Sequence, residues 1–196
     1  IPLASQTFSK SVTQLPLGAA PLFADRAEGE KIWDIDGNEY IDFTNSLACI
    51  NLGYGHPSVT KAVEEQLKKG TIFSLPGKLE KEVSEILIEM VPSAEMVRFG
   101  KNGTDVTSAA IRLSRAVTGK EIVLVCGYHG WQDWYIGTTT KNLGVPKAVS
   151  NLTKTFQYND IESLKKLMTE FKDSVACVIM EPMNTTYPDD NFLKKV

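Results

Sequence analysis

Two short runs, Glu121-Ile122-Val123-Leu124-Val125-Cys126 and Val175-Ala176-Cys177-Val178-Ile179-Met180, constrain this chain more than any other feature. Each is apolar at nearly every position, so neither suits a strand with one wet face. Both read as strands buried on two sides. Helical patterns separate them. Residues 104–118 repeat Val106, Ala110, Leu113 and Val117 along one stripe. Residues 160–171 follow Asn159, which reads as an N-cap with Glu162 three positions on, a variant of the capping box. Met96–Phe99 reads as a further short strand before the first of these helices. Strands alternating with helices predict an α/β fold with a mainly parallel sheet covered on both faces.

The N-terminal part is different. Residues 1–29 read as irregular, because Pro2, Pro16 and Pro21 discourage helix. Ile32-Trp33-Asp34-Ile35 and Tyr40-Ile41-Asp42-Phe43 flank Asp36-Gly37-Asn38, a hairpin pattern with a glycine turn. Pro57 suits a first helical turn, Val59, Val63 and Leu67 recur every four residues, and Gly70 stops that helix. A second helix is expected over residues 78–91, with Leu79, Val83, Ile86, Leu87 and Met90 on one face and Pro92 ending it. The stretch from Gly127 to Gln157 is thirty-one residues of weak periodicity, a length that in a compact domain is usually functional.

Bulk properties exclude several classes. A net charge of −3 gives no sequence-wide attraction to nucleic acid or anionic lipid. The longest clean apolar run, six residues, cannot span a bilayer. No basic segment followed by an apolar stretch opens the chain, so no secretory signal is expected, although a first residue of Ile1 points to a start further upstream. Cys49, Cys126 and Cys177 lack zinc or disulfide spacing, and Cys177 reads as a small core residue, so a reduced cytoplasmic setting is expected. Two histidines, His56 and His129, exclude a multi-histidine metal centre.

Three segments carry chemistry. Gly100-Lys101-Asn102-Gly103-Thr104-Asp105 joins the Met96–Phe99 segment to a helix. A helix N-terminus offers unpaired N–H groups to an anion, Gly103 would let the backbone approach closely, and Thr104 adds a hydroxyl. Taken alone, the segment is as well explained by Asn102 or Thr104 capping the helix, and it fits neither the Walker nor the Gly-x-Gly-x-x-Gly pattern. Lys101 reads as a solvated turn residue. The second segment, Tyr128-His129, follows the strand ending at Cys126, on the carboxyl edge where ligands of parallel sheets collect. Trp131, Trp134 and Tyr135 lie in the same run. Trp131 and Trp134 read as packing that holds the long loop down, whereas Tyr128 reads as an aromatic face beside a phosphate site. The third is Glu181-Pro182, directly after the strand ending at Met180.

In order and spacing, "WDIDGNEYIDF", "GHP", "MVRFGKNGTDVTSAAIRLSRAVTG", "YHGWQDW" and "VIMEP" resemble the class III aminotransferases, and most closely the glutamate-1-semialdehyde aminomutase-like branch. The resemblance implies fold type I of the enzymes that use pyridoxal 5'-phosphate (PLP). It places residues 1–72 in an N-terminal segment contributing to a small domain, and residues 73–196 in the first part of the large cofactor-binding domain. It implies that Asn102, Gly103 and Thr104 bind the cofactor phosphate, that Tyr128 stacks on the pyridine ring with His129 beside it, and that Glu181 supports the ring. Asn184 is a looser candidate for the cofactor's phenolic oxygen, since the run after Pro182 lacks the branch's usual glycines. The implied reaction moves an amino group between an amine donor and a carbonyl acceptor, in a homodimer. In the family the Schiff-base lysine lies beyond the Glu-Pro landmark, and no lysine among these 196 residues stands in a matching context. The expectation is therefore an N-terminal half without a catalytic residue of its own. The region "TQLPLGAAPLF" lacks the branch's early arginine, and Leu47 stands where an aromatic residue is usual, which implies another substrate, such as a sugar or cell-envelope precursor. The residues leave open a non-catalytic PLP- or phosphate-binding protein of the same fold, and less readily an unrelated nucleotide-binding domain.

Overall fold

A computed structural model of the chain describes residues 1–183 and 185–196. The chain divides into two compact units, Ile1–Val83 and Ser84–Val196.

The first unit is built on an antiparallel sheet of β1 (Ala24–Glu28), β2 (Lys31–Asp34) and β3 (Glu39–Ile41), in that order. The hairpin read from the sequence is β2–β3, pairing Lys31 with Ile41 and Trp33 with Glu39. Gly37 takes φ +85 in its turn, and the Asp34 carboxylate accepts the backbone N–H groups of Asp36 and Asn38 at 3.0 and 2.8 Å. Strand β1 corrects the expectation of an irregular start. It pairs along β2 through a bulge between Ala24 and Arg26, and the Arg26 guanidinium lies 3.7 Å from the Trp33 ring centroid. Helix α1 (Pro57–Leu67) follows, with proline at its first turn, as its sequence signals indicate, and α2 (Lys78–Met90) begins in this unit and ends in the second. Their apolar stripes are on the surface: Val63 is 53% exposed and Ile86 54%.

Between β3 and α1 the backbone does something the sequence does not announce. Asn45–Ala48 forms a turn of left-handed helix, with φ of +50, +48, +60 and +64. L-residues resist this hand because Cβ crowds the following carbonyl. One carboxylate holds the turn: Asp42 accepts the N–H groups of Thr44, Asn45 and Ser46 at 2.9, 3.1 and 3.3 Å, and the Tyr54 hydroxyl at 2.7 Å. The Tyr54 hydrogen bond is the largest influence on Asp42 and, with the backbone N–H groups, keeps its carboxyl below the ordinary value despite opposing desolvation. A depressed folded value means the stabilisation is complete above the unfolded value and is lost as pH falls through the folded one, here below about 4. Asp42→Asn is expected to lower stability at neutral pH and to flatten its decline on acidification. Denaturant unfolding on both sides of pH 4 checks this.

The second unit holds the buried core. Helix α3 (Gly103–Thr118) leads into β4 (Ile122–Cys126); short helices α4 (Asp133–Ile136) and α5 (Lys147–Ser150) lead into β5 (Thr153–Thr155); α6 (Ile161–Glu170) leads into β6 (Val175–Met180), and α7 (Phe192–Lys195) follows. The sheet order is β5-β4-β6, all parallel. Central β4 presents Val123 and Val125 to one cluster, with Ile111, Trp134 and Tyr135. It presents Ile122 and Leu124 to another, with Phe156, Leu164 and Phe192. Both faces are thus covered, as the apolar runs require.

Four local expectations are corrected. Met96–Phe99 is not a strand, since no described segment lies alongside to complete a ladder, and Met96 is 87% exposed. Strand β5 was hidden in the weakly periodic stretch because Thr-Lys-Thr has no apolar pattern. The stripe Val106, Leu113 and Val117 faces outward, while Ile111 on the other face is buried. The N-cap of α6 is Asp160, whose carboxylate accepts the Ser163 N–H at 3.1 Å, and not Asn159, which sits at φ +62.

Candidate functional site

The carboxyl edge of the β5-β4-β6 sheet gathers all three segments. Asn102 is extended at the N-terminus of α3, and its N–H donates to the Asp105 carboxylate at 3.0 Å, so the turn carries a cap of its own. The next two N–H groups, of Gly103 and Thr104, fall among those that a helix leaves unpaired at its start. A Cβ on Gly103 would meet nothing within 4 Å, so the chain itself imposes no need for glycine there and leaves that side open to a ligand. The Thr104 hydroxyl is buried and has no hydrogen-bond partner among the described residues, the kind of orphaned group that native structures rarely leave unexplained.

The loop after β4 is fastened onto this helix start. Gly130 (φ +108) lies flush against Thr104, where a Cβ would come 2.8 Å from the threonine Cβ and 3.2 Å from its Cα. The Thr107 hydroxyl donates to the His129 carbonyl at 3.0 Å, and the Trp134 indole N–H to Ser108 Oγ at 3.1 Å. These contacts explain why the inward face of α3 carries hydroxyls where an apolar stripe was expected.

Tyr128 and His129 have different surroundings. Tyr128 is 64% exposed, with its ring edge-on to Tyr135 at 5.7 Å. His129 is buried against Trp134 and Tyr135, and its Nε2 lies 2.9 Å from the Cys126 carbonyl. A carbonyl only accepts, so Nε2 carries the proton. Trp134 packs the loop down as expected, but Trp131 does not: it is 69% exposed, on a loop whose packing is already supplied by Trp134 and Tyr135. Desolvation raises the Tyr135 phenol above its ordinary value.

Glu181 joins this loop from β6. Its Oε2 accepts the Tyr128 N–H at 3.0 Å, and its side chain fills the space beside Gly127 (φ +89), where a Cβ would lie 2.9 Å from Glu181 Cγ. Burial, aided by the Glu181 charge, pushes the Cys126 thiol up. Asn184 lies outside the described residues. The exposed Lys101 stands in the turn as a solvated residue. Sequence reasoning missed Thr107 and Ser108, whose helical i+3 and i+4 spacing from Thr104 puts them on one face and could have flagged them.

Thus Thr104 and Glu181, 77 positions apart, are linked through the four-residue loop Gly127–Gly130. An orphaned hydroxyl at a helix start, an exposed aromatic face and a carboxylate suit a flat ring bearing a phosphate. Residues 15–196 match the sequence model of the family described as aminotransferase class-III. Glutamate-1-semialdehyde 2,1-aminomutase of Desulforapulum autotrophicum is 43% identical over 178 residues, 85% of this chain and 42% of that one. An omega-transaminase structure from Sphaerobacter thermophilus superposes with TM-score 0.82 at 31% identity, covering 92% of this chain and 46% of that one. A PLP-containing structure of FumI protein from Sphingopyxis sp. MTA144 gives TM-score 0.80 at 31% identity, over 86% and 40%. The chain spans under half the length of each of these relatives. The loop geometry, the parallel sheet and the match over residues 15–196 lead to one assignment: this chain belongs to the class III aminotransferases.

Proposed function

We propose that the whole protein binds pyridoxal 5'-phosphate at this sheet edge and moves an amino group between an amine donor and a carbonyl acceptor. The observation that carries the reading is the buried, unpartnered Thr104 hydroxyl at the start of α3. The Thr104 hydroxyl and the first N–H groups of α3, with Asn102 and Gly103 shaping the turn, would hold the phosphate. Tyr128 would lay its exposed ring against the pyridine. His129 would steady the loop that carries Tyr128, its Nε2 donating to the Cys126 carbonyl and its own carbonyl accepting the Thr107 hydroxyl. Glu181 would fix the same loop by accepting the Tyr128 N–H. Bound there, the cofactor supplies an electron sink for proton movement at the substrate carbon. The flush contact of Gly130 on Thr104 would exclude water behind the phosphate. Catalysis also needs a lysine, and Lys101, in the first of the gathered segments, stands exposed in its turn as a solvated residue.

The exposed apolar stripes of α1 and α2 support a homodimer, because apolar faces of this extent mark interaction surfaces. The three free thiols and a net charge of −3 support a cytoplasmic setting with no nucleic-acid or membrane partner. Among the described residues no helix is long and apolar enough to cross a membrane.

Adding PLP to the whole protein is expected to give a visible absorption band that borohydride removes; no such band overturns the reading. Thr104→Val keeps the side-chain shape and removes the hydroxyl. It is expected to weaken PLP binding by about 1.5–3 kcal/mol, the range for a hydrogen bond to a charged group. Unchanged affinity in a spectral titration would remove Thr104 from the phosphate site.

A further inference from the structure

Tyr128 is held at its backbone and only lightly at its ring. Glu181 Oε2 accepts its N–H at 3.0 Å, while the residue stands 64% exposed on the loop from Gly127 to Gly130. Among the described residues its one ring-to-ring contact is with Tyr135, 5.7 Å between centroids and 86° between planes. In an edge-on pair the edge of one ring meets the face of the other, so at least one face of Tyr128 stays open to a ligand.

Tyr135 is the opposite case. It is 9% exposed, in the cluster that also holds Ile111, Val123, Val125 and Trp134. Its ring stands edge-on to His129 at 5.6 Å and to Trp134 at 5.9 Å as well. The backbone of α4 is fastened around it: the Thr153 hydroxyl of β5 donates to the Trp134 carbonyl at 2.6 Å, and the Thr138 hydroxyl to the Tyr135 carbonyl at 2.8 Å. A side chain packed on this many sides has little room to change rotamer. The Tyr135 hydroxyl makes no hydrogen bond among the described residues, so what it offers its neighbours is the ring.

A ring that must stop rotating in order to stack loses side-chain entropy at the moment of binding. A neighbour that already limits its rotation removes part of that cost. We propose that Tyr135 is a positioning residue, whose fixed ring holds the Tyr128 ring through their edge-on contact in the orientation that stacks on the cofactor. The inference rests on the proposed binding of PLP, and it adds to that site a residue that acts through Tyr128.

A double-variant cycle on the whole protein tests it, with PLP affinity read from a spectral titration and stacking from the visible circular dichroism of the bound cofactor. Tyr135→Leu removes the ring and is expected to weaken PLP binding roughly fivefold, the order of one edge-on aromatic pair, and to diminish the dichroism. Tyr135→Phe keeps the ring; its affinity is expected to stay within about twofold, with the dichroism of the unaltered protein. In a Tyr128→Leu background there is no ring to position, and adding Tyr135→Leu is expected to change affinity by less than about twofold. Tyr135→Met serves the same cycle should leucine prevent folding. Equal losses in the two backgrounds would mean that Tyr135 only supports the core, and would overturn the proposal. A leucine variant that binds PLP unweakened, or a phenylalanine variant as weak as leucine, overturns it too. A missing cofactor band in the unaltered protein would instead overturn the PLP reading, so the two failures are distinct.

Discussion

Gly130→Ala is expected to lower PLP affinity by about a hundredfold. Two effects combine. At φ +108 an alanine is strained by roughly 1–3 kcal/mol. Its Cβ would also press on Thr104, a short β-branched side chain fixed in the first turn of α3, with its Cα 3.2 Å away. Relief therefore requires the loop and the helix start to separate, which moves the hydroxyl from the phosphate position and forfeits about 1.5–3 kcal/mol of charge-assisted hydrogen bonding. A spectral titration of the variant with PLP measures the loss. Affinity equal to that of the unaltered protein would show that the contact between the two segments does not shape the site.

The second large effect concerns the core. Leu124→Ala should destabilise the protein by about 3 kcal/mol, within the range for emptying a close-packed leucine site. Leu124 is 0% exposed at the centre of β4 and packs among Ile122, Phe156, Leu164 and Phe192. Strands pair on both sides of β4, which limits how far the surroundings can collapse into the void. Leu113→Ala, on the exposed face of α3, should change stability by no more than about 0.5 kcal/mol. Denaturant midpoints at constant slope report both values. Equal effects would return the α3 stripe to the core.

These paired substitutions mark where the sequence was legible. Apolar runs announced β4 and β6. Strand β4 is covered on both faces and so has to be apolar at consecutive positions, whereas β6, at the edge of the described sheet, is half-buried with Val178 37% exposed. Proline and glycine bounded α1 for equally local reasons. The facing of α3 was not legible, since its inner side is satisfied by hydroxyls reaching the His129 carbonyl and the Trp134 indole, partners that lie far along the chain. Hydrophobic periodicity has no access to such bonds. Met96–Phe99 fails for a related reason: alternation makes a segment suitable for pairing, but a ladder needs a neighbour. Asn159 had the composition of a cap, yet its amide is used on Asp189 and Tyr187, thirty and twenty-eight residues away. At the site, Thr104, Tyr128 and Glu181 were visible as residue types at strand and helix ends. The glycines that let their segments touch acquired their meaning from the fold.

The turn at Asn45–Ala48 owes its shape to residues outside it. Four L-residues coiled against their own chirality give no local incentive to form, so this turn has no nucleus of its own. Its hand is imposed from outside by Asp42, and the Tyr54 hydroxyl shares that same carboxylate. The turn therefore depends on both neighbours, on β3 to place Asp42 and on the chain beyond it to return Tyr54. A segment of this kind keeps its shape by obligation to its neighbours, and it is among the first to forget it when they loosen.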